Sequence, residues 1–245
     1  MKKINLLKII DAYVFSSDLT SINLDKKSII NTINPHSYCV SLTDKKFQEA
    51  LLTSDVLLPD GSGIVLAAKV LRGKKIKKIA GADIHQHLLE HANFFHKKVF
   101  YLGASNNTLR LIEKRVKKEY PNIQISSYSP PYKPKFSEED SKKMIQEVNS
   151  IKPDILFVGM TAPKQEKWVA EFKNELNATI ITSIGAVFDF YAGTVKRSGK
   201  FWISLGLEWL PRLLREPKRL WRRNFVSTPL FLWYLARQKL GIGVR

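Results

Sequence analysis

The sequence predicts an α/β chain, with a parallel β-sheet flanked by helices over residues 1–195 and a basic helical appendage over 196–245. Three observations carry this. Short apolar runs repeatedly end at a glycine and lead into an amphipathic stretch. Apolar residues make up 44% of the 245 residues, enough for a single α/β core. Positive charge and tryptophan gather toward the C-terminus.

Taken in order, the apolar opening stretch through Phe15 reads as a first strand. Lys8 and Asp11 interrupt it and no small-residue cleavage site follows, which argues against a signal peptide. Asn31-Thr32-Ile33-Asn34-Pro35 ends an early strand, where its polar residues either make a turn or hydrogen-bond a sugar. Leu57-Leu58-Pro59-Asp60-Gly61-Ser62-Gly63 puts Asp60 at a strand-to-helix turn, with glycines that let a ligand approach the backbone. An aspartate there serves either as a general base or as a helix N-cap. The spacing fits neither a Walker loop nor the dinucleotide fingerprint.

The run 99–102 ends at Gly103, with Ser105 placed to cap a helix through Lys118. Pro130, Pro131 and Pro134 mark a loop. The run 155–158 ends at Gly159, and Ala162-Pro163-Lys164-Gln165-Glu166 then opens a helix whose first N–H groups suit an anion or a sugar hydroxyl. The run 179–184 ends at Gly185. In parallel sheets ligands sit beyond the carboxyl ends of the strands, where these glycines fall.

His85, His87 and His91 lie close in sequence, and the last two have i,i+4 spacing. No acidic partner or HExxH pattern supports a metal there, so a solvated helix face is the expectation. Cys39 is the only cysteine, which excludes a disulfide framework and a cysteine-based zinc site.

The net charge of +18 points to nucleic acid, anionic lipid or phosphorylated ligands. From Lys196 onward twelve basic residues face two acidic ones, and four of the five tryptophans lie there. Pro217 and Pro229 suit helix starts, giving two or three short helices. Arg212, Arg215, Arg219 and Arg222 would form one stripe on a continuous helix, suited to phosphate oxygens. Tryptophans interleaved with them suit an interfacial segment on anionic headgroups. No run reaches the ~18 apolar residues of a spanning helix.

These stretches together resemble the WecG/TagA/CpsF family of bacterial glycosyltransferases. The resemblance runs from about Thr32 to Arg223 through Thr32-x-Asn34, Asp60-Gly61, Gly81-x-Asp83, Gly103-Ala104, Tyr120-Pro121, Pro163-Lys164-Gln165-Glu166, Phe188-Asp189, Gly206-Leu207-Glu208-Trp209-Leu210, Arg212, Glu216-Pro217 and Arg219. It implies a Rossmann-like sheet and an inverting transfer, without metal or other cofactor, from a UDP-sugar to a polyprenyl-diphosphate-linked sugar. The sugar would be a hexose or N-acetylhexosamine, moved at the cytoplasmic face of the bacterial membrane for a cell-surface polysaccharide. Asp60 would be the base; Thr32, Asn34 and Gln165 would line the sugar pocket; Asp189 would lie near the nucleotide. Arg212, Arg219 and Arg222 would hold the donor diphosphate. Lys78 stands where the family usually has arginine, keeping the charge and losing the bidentate fork. Ser198-Gly199 after Arg197 likewise replaces the usual Ala-Pro.

Two other classes compete. A nucleotide-cofactor oxidoreductase needs a dinucleotide fingerprint, which is missing. A nucleic-acid-binding module explains the charge and leaves Asp60-Gly61 and Pro-Lys-Gln-Glu without a role. The resemblance therefore selects a transferase with no nucleic-acid partner. The donor sugar, the polymer and the oligomeric state are not specified by the sequence.

Overall fold

The computed structural model describes residues 3–7, 12–195, 202, 210, 213–214 and 217–242. The opening stretch forms two strands, β1 (Lys3–Leu7) and β2 (Ala12–Phe15), paired antiparallel as a separate two-stranded sheet. The expected single first strand is thus a hairpin, packed against β4 (Val56–Pro59) and α3 (Ser62–Arg72).

The main sheet has six parallel strands in the order β4-β3-β8-β7-β5-β6. Its other strands are β3 (Ser28–Ile33), β5 (Lys98–Gly103), β6 (Gln124–Tyr128), β7 (Ile155–Gly159) and β8 (Ile180–Ser183). Several runs are apolar at consecutive positions because both faces of a parallel sheet are covered. Ile30, Leu58, Tyr101 and Phe157 pack under α4 (Gly81–Phe94), α5 (Asn106–Glu119) and α8 (Ala186–Ala192). Their neighbours Ile29, Phe100 and Leu156 pack on the other face under α6 (Glu138–Ile151) and α7 (Lys164–Phe172). On that face, Ile33 and Leu57 meet α1 (Pro35–Ser41), α2 (Lys45–Leu52) and α3.

The glycines at the strand ends are there for space. A Cβ on Gly103, at φ 121°, would lie 2.3 Å from the Gly159 carbonyl oxygen, and one on Gly159 would strike the Phe188 ring at 2.4 Å. Ser105 caps α5 as expected, its Oγ accepting from Thr108 N.

At the C-terminus, α9 (Pro217–Trp221) runs into a π-helical turn (Arg222–Ser227) and then α10 (Thr228–Lys239). The helix starts expected at Pro217 and Pro229 are observed, and the elements join without a break through a π turn that the sequence did not suggest. The wider π turn also interrupts any straight arginine stripe at Arg222. Phe231 and Leu235 of α10 are buried against α1 and α3, so this helix completes the core around Ile33 and Tyr38. No helix among the described residues is long and apolar enough to cross a membrane.

Candidate active site

Three segments meet at the carboxyl edge beside β3 and β4. The parallel register pairs Thr32 with Leu58 and Ile33 with Pro59. The Asp60 N–H then donates to the Ile33 carbonyl at 2.9 Å, and the Ile79 N–H donates to the Pro59 carbonyl at 2.9 Å. Backbone bonds alone therefore bring Thr32, Asn34, Asp60 and Lys78 to one corner. Asp60, Thr32, Asn34 and Lys78 are each partly exposed there.

Asp60 is not a helix cap. The cap position of α3 belongs to Gly61, whose φ of 98° suits glycine. Asp60 therefore stands one residue before the cap position that local sequence had offered it. Asn34 is the cap of α1: its Oδ1 accepts from His36 N and Ser37 N, both at 3.0 Å. Its oxygen is thus committed to the turn, leaving the amide nitrogen as its group for a ligand.

Gln165 behaves differently from the expectation that it lines a sugar pocket. It is 4% exposed. Its Oε1 accepts from Met160 N at 3.1 Å and Gly185 N at 3.2 Å, tying together the exits of β7 and β8. Because both partners are donors, the amide orientation is fixed and Nε2 must find an acceptor; it donates to Glu166 Oε1 at 2.8 Å. Gln165 braces the edge on which a ligand would rest. Pro163 takes the cap position of α7, at the helix opening as expected.

Glu166, named in the sequence only as part of the Pro-Lys-Gln-Glu string, is buried. Burial pushes its carboxyl up to about 7, and its Oε2 has no hydrogen-bond partner among the described residues. Nothing in a Pro-Lys-Gln-Glu string marks the glutamate as interior, since acidic residues are ordinary in a first helical turn.

Asp189 lies one turn into α8, partly exposed, with Oδ1 3.4 Å from the Thr194 hydroxyl. Arg212 lies outside the described residues, and of Arg219 only the backbone, within α9, is described. Arg222 is exposed in the π turn. That turn is held against α1, next to the Asp60 corner, by a 2.8 Å contact between His36 Nδ1 and Ser227 Oγ. Gly63 lies where the two sides of the joint approach, since a Cβ there would fall 2.5 Å from Pro35 Cγ and 3.4 Å from Phe231 Cε1.

The histidines are not a uniformly solvated face. His85 is 3% exposed, its Nε2 2.7 Å from the Tyr101 hydroxyl, and burial drives its pKa down to about 3. It is a neutral core residue under α8, because α4 turns that face to the sheet. A small cleft lined by Asp25, His91, Lys97 and Asp154 lies at the amino ends of the strands, away from Asp60. Among the described residues no cluster of three metal-binding side chains occurs.

Around the docked helix, Trp221, Phe225, Val226, Leu232 and Trp233 are exposed, Trp221 by 58% and Trp233 by 48%. Such a patch on a basic segment suits an interface with anionic lipid better than bulk water.

Comparison with known proteins gives the same direction. The model of the glycosyl transferase WecG/TagA/CpsF family matches residues 10–244. The N-acetylglucosaminyldiphosphoundecaprenol N-acetyl-beta-D-mannosaminyltransferase of Bacillus spizizenii is 31% identical over 235 residues, covering 94% of this chain and 89% of that protein. The protein of the same name from Bacillus subtilis is 31% identical over 218 residues, covering 88% and 83%. That of Staphylococcus aureus strain MW2 is 29% identical over 213 residues, covering 87% and 81%.

Proposed function

The chain belongs to the WecG/TagA/CpsF family of glycosyl transferases, and from that premise we propose that it moves N-acetylmannosamine from a UDP-sugar to an N-acetylglucosamine carried on undecaprenyl diphosphate. Asp60 takes the proton of the acceptor hydroxyl, which attacks the anomeric carbon as UDP leaves. Thr32 and the amide nitrogen of Asn34 contact sugar, with Lys78 beside them. Arg212, Arg219 and Arg222 receive the diphosphate and offset the charge that develops on it. Asp189 stands toward the nucleotide, and Gln165 holds the loops that form the floor.

One observation supports this reading above the others. A partly exposed aspartate sits at the sheet's carboxyl corner, next to the joint where a basic, tryptophan-bearing helix docks. A base needs to face a ligand, and a charged leaving group needs cations that can close over it. The division into a body of 1–195 and an appendage of 196–245 has the same logic, with the appendage holding the enzyme on the anionic inner surface of the membrane.

The test is a panel of UDP-sugars offered with N-acetylglucosaminyl-diphosphoundecaprenol. Release of UDP with UDP-N-acetylmannosamine, and only when acceptor is present, supports the assignment. Release with a different sugar keeps the transferase and rejects the sugar, and no release with any of them rejects the proposal.

A further inference from the structure

The joint between the C-terminal helix and the body is built around His36. Its N–H is held by Asn34 Oδ1 at 3.0 Å and its Nδ1 by Ser227 Oγ at 2.8 Å, so the residue is fixed at both backbone and ring. Cys39 Sγ donates to the Ser227 carbonyl at 3.3 Å, and Tyr38 meets Phe231 edge-on with ring centroids 5.2 Å apart. Burial first, then the positive charges of Arg223 and Arg222, lower the pKa of His36. Both arginines belong to the π turn (Arg222–Ser227) that Ser227 ties to the His36 ring. Among the described residues, neither arginine pairs with a carboxylate.

The path from Asp60 to this cluster is short. Asp60 is bonded through its backbone to Ile33, a Cβ on Gly61 would lie 3.8 Å from Pro35 Cδ, and His36 is the next residue. In the other direction the same π turn exposes Phe225 and Val226, next to exposed Trp221. A lipid-linked acceptor must span these two places. Its hydroxyl meets Asp60, its tail lies in the bilayer, and its diphosphate falls between, one sugar ring from the reacting oxygen. Arg222 and Arg223 stand in that interval, and among the described residues neither has a carboxylate partner.

We propose that Arg223 and His36 bind the diphosphate of the lipid-linked acceptor, as a subsite apart from the arginines that take the donor's diphosphate. The inference rests on the proposed function for the identity of the acceptor. The ligand chemistry is a phosphoanhydride at a bilayer surface: Arg223 offers a fork to paired phosphate oxygens, and a neutral His36 adds one N–H donor. A phospholipid headgroup shares part of this chemistry, having one phosphate where the acceptor has two.

The experiment measures co-sedimentation of the full chain with phosphatidylcholine vesicles carrying undecaprenyl diphosphate, undecaprenyl monophosphate or phosphatidylglycerol at matched surface charge. The parent is expected to prefer the diphosphate vesicles by about tenfold. Arg223→Gln should erase that preference while leaving phosphatidylglycerol binding within about twofold, and His36→Gln should reduce it. Arg223→Lys, which keeps the charge and loses the fork, should retain only part of the preference and decides the matter if the glutamine variant does not fold. An undiminished preference in Arg223→Gln, or in a lysine variant used in its place, overturns the subsite, as does equal binding of the parent to all three vesicles. A parent that shows the preference and transfers no sugar supports the subsite and overturns the proposed function alone.

Discussion

Glu166→Gln tests whether the buried pair behind the candidate site is what the structure says it is. Glu166 is 5% exposed, and burial raises its carboxyl from an ordinary 4.5 to about 7. Between those values the folded chain holds a proton that the unfolded chain has released. The stability this group contributes is therefore complete below pH 4.5 and is lost as pH rises toward 7. At about 1.4 kcal/mol per pH unit, the interval amounts to roughly 3 kcal/mol, a large share of a typical domain's stability. Glutamine keeps the side-chain volume and can still present a carbonyl to Gln165 Nε2, whose bond to Glu166 is 2.8 Å. It carries no proton equilibrium. Urea unfolding of parent and variant at half-unit steps from pH 4 to 8 gives two profiles. Their difference should grow by about 3 kcal/mol in favour of the variant as pH rises through the window, and then level off. Profiles that stay parallel would show that the carboxyl is solvated, and the internal latch on the β7 and β8 exits would then be misplaced.

Three further outcomes are expected. Replacing Trp221 and Phe225 together by serine should weaken binding to anionic vesicles by at least about tenfold with little change in melting temperature; this is cleaner than deleting the C-terminus, which would uncover the core that Phe231 and Leu235 close. Unchanged vesicle binding would reject these side chains as the membrane contact. Gly63→Ala puts a methyl 2.5 Å from Pro35 Cγ, so unfolding should show a loss of about 1–3 kcal/mol, and limited proteolysis should cut the C-terminal helix sooner. Sugar transfer should persist in excess chelator, and a loss restored by added divalent cation would contradict the metal-free displacement.

The sheet was legible because burial on two faces leaves a plain mark: apolar runs that stop at glycine. Gly103 and Gly159 stop them because their backbones and the Phe188 ring are in contact, which is a spatial reason with a local signature. Part of the corner was legible for the same reason, since Asn34 and Asp60 lie just beyond the ends of β3 and β4, with Thr32 near the end of β3 itself, while Lys78 came only from the family resemblance. Roles set by distant partners were hidden. Whether His85 faces inward depends on Tyr101 and α8, and Gln165 on Gly185 at the exit of β8 as well as on nearby Met160, so the deciding partners lie mostly more than a dozen residues away in the chain. The hairpin of β1 and β2 depends on pairing that alternation alone does not encode. The π turn is hidden likewise, because one extra residue per turn leaves the local composition unchanged.

The most direct measurement is the transfer rate of Asp60→Asn beside the parent, with UDP-N-acetylmannosamine and the lipid-linked acceptor, both proteins matched by circular dichroism and melting temperature. A fall of at least about a hundredfold in kcat, with the fold intact, is expected of a lost general base. Turnover at the parent rate would contradict it and leave the corner at the end of β4 without a catalytic carboxylate.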